Sequence, residues 1–348
     1  MEGDVVKPQK WAQEKRTLGT TAGGSTYMLT LPKAWVEGFE LNKGDELTLS
    51  LVGIGIYLSL EQETPEASTS TKLEIDDSLQ GDALARTLIS RYIAGFNVIE
   101  VSGSMSPEQR SDMRNTVQRL IGAEILQETS EFLLIHVLRD PQVLSVDQLL
   151  DYINDNVTGM LKDAPTSLFD NDQEKAISVI QRDERVDRFY LLLSRRLYAA
   201  LRNPLAEVEH KISRVDFFNT HNVARQLERV ADHAVKIAEA AVALIQEERT
   251  FNSKMQKLLE KASSAVQEFL QQVMVAFLKF DSDAAHTALH AKPEVEKLIS
   301  EFDRQLISID DAHLAYYLGI VADSISRVND YAANIAEVAL NAVALQEK

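Results

Sequence analysis

The chain has 348 residues, with 53 acidic and 36 basic side chains for a formal net charge of −17, 45% hydrophobic residues and no cysteine. That length supports two or three cores, and the apolar fraction is too high for a disordered chain. The absence of cysteine excludes a disulfide framework, a thiolate zinc site and a cysteine nucleophile, and the charge taken whole argues against nucleic acid, whose phosphates bind Lys and Arg.

No uncharged apolar run reaches the roughly 18 residues of a membrane helix, and Met1-Glu2-Gly3-Asp4 does not open like a signal peptide. The expectation is a soluble, cytoplasmic protein without membrane insertion. Residues 26–31 and 47–60 alternate or cluster apolar residues at strand spacing, around Gly23-Gly24 and the turn Asn42-Lys43-Gly44-Asp45. So few short strands make a poor solitary core, which predicts completion by a second chain. The Ser/Thr/Pro-rich stretch 63–72 reads as a linker closing a first domain over 1–62.

Residues 73–145 read as a small α/β domain of order β-α-β-α-β-β. A strand falls near 72–75, and a helix over 82–94 is stopped by Gly95. A strand over 96–101 follows, then a helix opened by the Ser106-Pro107-Glu108 cap and ending before Gly122, then strands near 124–127 and 132–137. It holds no Gly-rich phosphate loop and no nucleophile elbow.

Beyond Ser145 the pattern is helical. Val223, Leu227, Val230, Ala234, Ile237, Ala241 and Leu244 form a near-heptad seam, and Leu318 to Ala342 repeats it. Leu227–Glu239 matches Ile325–Glu337, 98 residues on, at seven of thirteen positions, which is an internal duplication. With helices expected over 146–168 and 173–202, then 252–280 and 283–309, residues 146–348 read as two three-helix bundles, 146–249 and 250–348. The fold class expected is α+β multidomain and mostly α.

Divided by domain, the charge is −2 over 1–62, −6 over 63–145 and −9 beyond. The first domain is nearly balanced, and Lys7, Lys10, Lys15 and Arg16 gather ahead of its first strand. Doubled in a dimer, that edge is a phosphate-binding stripe; read alone, it is a solvated tail. In the helical part Asp183 with Asp187, and Glu228 with Asp232, stand at i, i+4, and on facing helices they would converge as an oxygen set for a hard divalent ion. The same spacing also serves an ordinary surface, with Arg225 and Arg229 three residues ahead of Glu228 and Asp232. His286 and His290 are one turn apart without the Glu of a zinc-protease motif, and Glu207 with His210 is a lone Glu-x-x-His. No catalytic residue is assigned.

Asp183-Glu-Arg-Val-Asp187 followed by Leu227-Glu228-Arg-Val-Ala-Asp232-His-Ala-Val-Lys-Ile-Ala-Glu239, with the latter repeated, resembles the PhoU family of phosphate uptake regulators. The resemblance implies two three-helix repeats whose acidic motifs bind a metal, Fe, Zn, Mg or Mn, at Asp183, Asp187, Glu228 and Asp232. In the second repeat Lys292 replaces the first Asp, Glu296 the second and Ser326 the Glu, leaving Glu296 and Asp330 as a degraded set. Ser25-Thr-Tyr-Met-Leu-Thr-Leu-Pro-Lys33 and Leu41-Asn-Lys-Gly-Asp-Glu-Leu47 resemble the AbrB/SpoVT swapped-hairpin family. That resemblance implies a dimeric DNA-binding β-barrel with contacts from Lys15, Arg16 and Lys33, to which the basic cluster adds Lys10 as a candidate. Together they imply a non-enzymatic, homodimeric or larger regulator at promoters of phosphate-transport genes. The alternatives are an adaptor docking on a phosphate ABC transporter ATPase or a sensor kinase, and a carboxylate-bound metalloenzyme.

Overall fold

The structure is a computed structural model that describes residues 13–21, 26–52, 55–60, 69–76, 78–138, 144–203, 207 and 212–346. Lys7, Lys10, Gly23-Gly24, His210 and most of the expected linker lie outside the described residues. The chain divides into two compact units, Met1–Pro65 and Glu66–Lys348.

In the first unit β1 (Gly19–Thr20) pairs with β2 (Tyr27–Met28), α1 spans Lys33–Gly38, and β3 (Leu47–Val52) pairs antiparallel with β4 (Gly55–Leu60). Among the described residues of this unit the strands form two hairpins, β1 with β2 and β3 with β4. The β3/β4 register sets Leu49 opposite Leu58 and Leu51 opposite Ile56, with Thr48 opposite Ser59 and Ser50 opposite Tyr57. Because side chains alternate across a strand, one face of the hairpin is aliphatic. That face is bare: Leu51 is 78% exposed and Leu49 and Ile56 are each 66% exposed. Pro32 is the one buried residue of this unit among those described.

The second unit opens with the α/β module. Strands β5 (Ser70–Glu74), β6 (Val98–Ser102), β7 (Ala123–Glu128) and β8 (Phe132–Val137) form a sheet of order β5-β6-β8-β7, parallel only between β5 and β6. Strand β5 begins at Ser70, inside the expected linker, because Ser70 and Thr71 pair with Val98 and Ile99. Helix α2 (Gly81–Ile93) and helix α3 (Pro107–Arg119) close the core over Leu73, Ile99, Val101, Leu133 and Ile135. The Ser106 cap is a full capping box with Gln109, satisfying donors that an uncapped helix start leaves open. Gly103 has φ +125°, and a Cβ there would meet the Ile75 carbonyl oxygen at 2.3 Å, so the β6 exit admits only glycine.

The helices that follow among the described residues include α4 (Val146–Asp170), α5 (Gln173–Arg202), α6 (Arg214–Gln246), α7 (Ser253–Lys279), α8 (Ser282–Leu289), α9 (Lys292–Leu306) and α10 (Ala312–Gln346). The protein is therefore mostly helical. The helix expected over 283–309 is instead two, broken at His290 and Ala291. Pro293 explains the break, since it donates no amide hydrogen and its ring would clash with the carbonyl four residues back, yet it suits a first turn. One core runs through both bundles, with Leu227, Val230, Ala234 and Ile237 of α6 and Leu318, Val321, Val328 and Ile335 of α10 essentially without exposure.

The α/β module is fastened to α5. Arg195, buried, donates to the carbonyls of Tyr92, Gly95 and Phe96 and to Asn97 Oδ1, and Arg202 donates to the Ala94 carbonyl. These acceptors cluster at and just beyond the C-terminal end of α2, where a cation also meets the negative end of the helix dipole. Leu191 of α5 packs into the module's own core.

Candidate functional site

The helices that carry the four acidic residues start at defined caps: Asp172 accepts from the Lys175 amide to open α5, and Ser213 accepts from the Asp216 amide to open α6. On α5 the fully buried Val186 lies between Asp183 and Asp187; on α6 Leu227 and Val230 bury the seam that Glu228 and Asp232 flank. The carboxylates consequently line the margin of the α5/α6 interface. Asp183, Asp187 and Glu228 are half-buried and Asp232 is exposed.

Their electrostatics are those of a charge cluster short of compensation. Burial, then the charges of Asp187 and Asp232, push Asp183 up to about 6. Burial, then Asp232, Asp187 and Asp183, push Glu228 up to about 7. Asp187 is also raised, chiefly by burial, and Asp232, although exposed as a residue, is raised by partial desolvation of its carboxyl and then by the charge of Asp187. Asp183 Oδ1 is buried without a hydrogen-bond partner.

One cation reaches the cluster from the α/β module. Arg119, the last residue of α3, donates from Nη2 to Asp187 Oδ2 at 2.7 Å. Its charge also works against the upward shift of Asp183. Among the described residues no three His, Cys, Asp or Glu side chains stand together in metal-binding geometry. The donor chemistry nevertheless suits a hard ion: four carboxylates on two facing helices, mutually repelling, one oxygen unpaired. Sequence spacing gives no sign of Arg119, which lies 68 positions from Asp187 on another module.

The second repeat has its cation built in. Lys292 Nζ stands 3.0 Å from Asp330 and 3.9 Å from Glu296. The lysine that takes the place of the first aspartate thus bridges the carboxylates that remain. His286 and His290 are both exposed, and Glu207 accepts from the Arg214 amide and Nε. In the first unit Lys15 and Lys33 are exposed, Lys33 lies 3.3 Å from Glu37, and Arg16 pairs with Glu14.

Comparison with known families fits this arrangement. Residues 151–241 and 259–339 each match the PhoU domain. The helical part of the chain is two PhoU domains. Ahead of them, residues 20–66 match a family described as antidote-toxin recognition MazE, bacterial antitoxin, a MazE/AbrB-like domain. A curated relative, the phosphate-specific transport system accessory protein PhoU homolog of Pseudomonas aeruginosa, is 25% identical over 191 residues, covering 53% of this chain and 76% of the relative. The crystal structure of PhoU from Pseudomonas aeruginosa superposes with a TM-score of 0.52 at 22% identity, over 57% of this chain and 95% of that one. That likeness is one of fold. Between these two family matches, which end at residue 66 and resume at 151, lies the α/β module. Among the described residues no helix is long and apolar enough to cross a membrane.

Proposed function

We propose that this protein is a cytoplasmic, non-enzymatic, dimeric regulator of phosphate uptake, whose first unit binds promoter DNA and whose first PhoU domain binds a divalent cation. The observation that carries the reading is the joining, in one chain, of a MazE-type domain with a bare aliphatic hairpin to PhoU domains with an undercompensated carboxylate cluster. The hairpin face asks for a second copy, which would double Lys15, Arg16 and Lys33 into one stripe. The acidic excess lies beyond residue 62, away from those residues in sequence.

Asp183, Asp187, Glu228 and Asp232 would hold the cation, the first with its unpaired Oδ1. Such an ion supplies the positive charge that lets the carboxylates ionise together at neutral pH. In the second domain Lys292 already supplies it, so one site per chain is expected. The name of the curated relative, an accessory protein of phosphate-specific transport, supports phosphate as the context.

The test is anisotropy with operator-length DNA from upstream of a phosphate-transport gene, at two salt concentrations, with intact protein. Binding that weakens steeply with salt, and is lost in Lys15→Ala/Arg16→Ala, is expected. Binding absent at low salt, or unaffected by those substitutions, defeats the DNA reading. The pairing of Arg16 with Glu14 and of Lys33 with Glu37 thins the basic stripe and favours the second reading, an adaptor that docks on a phosphate transporter ATPase or sensor kinase. Pull-down of such a partner with no promoter occupancy would select it.

A further inference from the structure

We propose that Arg119 is a resident counter-cation that a divalent ion must displace from the carboxylate cluster, so that occupancy of the cluster is transmitted to the end of α3. The inference rests on the reading of the cluster as a cation site.

Two of the polar contacts that the α/β module makes with α5 differ in character. At Arg195 the guanidinium is buried and forked over four acceptors. Eight residues earlier, roughly 12 Å along the helix, Arg119 makes a single bond to Asp187, with the two side chains 42% and 24% exposed. Buried multidentate contacts are costly to break, whereas partly exposed pairs contribute little. The Arg119 contact is therefore the one that yields, and the module stays attached when it does.

Arg119 is also an incomplete partner. It hydrogen-bonds Asp187 and leaves Asp183 Oδ1 bare, with Glu228 and Asp232 compensated mainly by Arg229 and Lys236. A divalent ion brings twice the charge of a guanidinium and can be shared by several carboxylates, but it cannot share Asp187 Oδ2 with Arg119 without like-charge repulsion. The second repeat shows the alternative arrangement. There the cation is Lys292, covalently part of the helix that also carries Glu296, and its displacement would be reported to no other module. In the first repeat the cation arrives from outside the bundle, and its departure changes what α3 is attached to.

The test uses full-length protein with Mn²⁺ as the probe. Calorimetric titration of wild type and Arg119→Gln is paired with hydrogen exchange of residues 107–128, with Asp183→Asn as a binding-deficient control. Arg119→Gln is expected to bind Mn²⁺ roughly three- to tenfold more tightly, the size of one partly exposed ion pair. Mn²⁺ should speed exchange at the end of α3 in wild type to the rate that Arg119→Gln shows without metal. Equal or weaker affinity in Arg119→Gln, or no change in wild-type exchange at saturating Mn²⁺, overturns the proposal. If neither protein binds Mn²⁺, the cation reading falls with it; if both bind equally, that reading stands and the displacement alone is refuted.

Discussion

The His233 and Tyr331 rings face each other with centroids 5.7 Å apart at an interplanar angle of 50°. These residues are 98 positions apart and occupy the same place in the two copies of the duplicated helix. Equivalent residues touch only where two copies meet about a shared axis, so α6 and α10 form the seam between the PhoU domains. Neighbouring contacts agree: Arg229 stacks over the Tyr331 ring at 5.6 Å, and Asn334 donates to Gln226 Oε1 at 3.2 Å. The two bundles consequently share one core and should unfold as one.

His233 is the weak point of that seam at low pH. It is 7% exposed, its Nδ1 lacks a partner, and burial, with Lys236 and Arg327 against Asp323, lowers it to about 4. The unfolded chain takes up a proton below its ordinary 6.5 while the folded chain does not until about 4. Stability is therefore lost as pH falls across that window, by an amount on the order of 1–3 kcal/mol. His233→Leu should keep or raise stability at pH 7, because it removes an unpaired polar atom, and should flatten this part of the profile. Urea denaturation from pH 4.5 to 7 measures it; an unchanged slope in the variant would count against the argument.

The carboxylate cluster works with the opposite sign. Asp183 at about 6 and Glu228 at about 7 stand above their ordinary 3.8 and 4.5, so between those limits the folded chain holds protons that the unfolded chain has released. Without a divalent ion the cluster's strain is absent below about pH 4 and complete above about pH 7, a loss on the order of 1–3 kcal/mol after solvent screening. Glu228→Gln should stabilise the metal-free protein at pH 7.5 and do little at pH 4.5. Comparing His233→Leu, Glu228→Gln and the double variant separates the two opposing slopes, and a departure from additivity measures their coupling through Arg229, which compensates Glu228 and stacks over the Tyr331 ring beside His233.

Much of this was legible in sequence where the signal is periodic. The seam from Val223 to Leu244 and its copy, the Ser106 cap and the placement of both acid pairs follow from spacing and helix geometry alone. The single helix expected over 283–309 failed because the apolar pattern continues through Pro293 while the backbone cannot. Arg119 and Arg195 had no local signature: their partners, Asp187 and the end of α2, are 68 and about 100 positions away and come close only through docking of the α/β module on α5. Likewise the resemblance to the family motif implied that Lys292 replaces its first aspartate in the second repeat, and only the fold shows the lysine seated between the carboxylates left behind.

The bare face of the β3/β4 hairpin gives a direct test of assembly. In a monomer a residue exposed like Leu51, at 78%, tolerates a charge with an effect within about 0.5 kcal/mol. If a second chain covers that face, Leu51→Asp buries an unpaired carboxylate and should convert a dimer to monomer at micromolar concentration while the helical circular dichroism is unchanged. Light scattering coupled to size exclusion distinguishes the cases, and a variant with the same mass as wild type would rule this face out as the interface.

Arg195 should be the residue on which docking of the α/β module depends. Its guanidinium donates to the carbonyls of Tyr92, Gly95 and Phe96 where α2 ends, adding to the bonds that the Gly95 amide makes to Tyr92 and the Thr69 hydroxyl to Gly95, and it lies 5.0 Å from the Tyr92 ring centre. Arg195→Ala removes the donors while leaving those buried carbonyls in place, a loss of about 3 kcal/mol. Arg195→Lys should recover less than half of it, because one ammonium cannot span acceptors arranged for a planar fork. The loss should be local: amides of residues 91–97 should exchange faster and trypsin should cut α2, while α6 and α10, held by their own shared core, retain their protection. Equal deprotection of all helices would mean that the module and the bundle fold as one, and that Arg195 serves the whole unit instead of one joint.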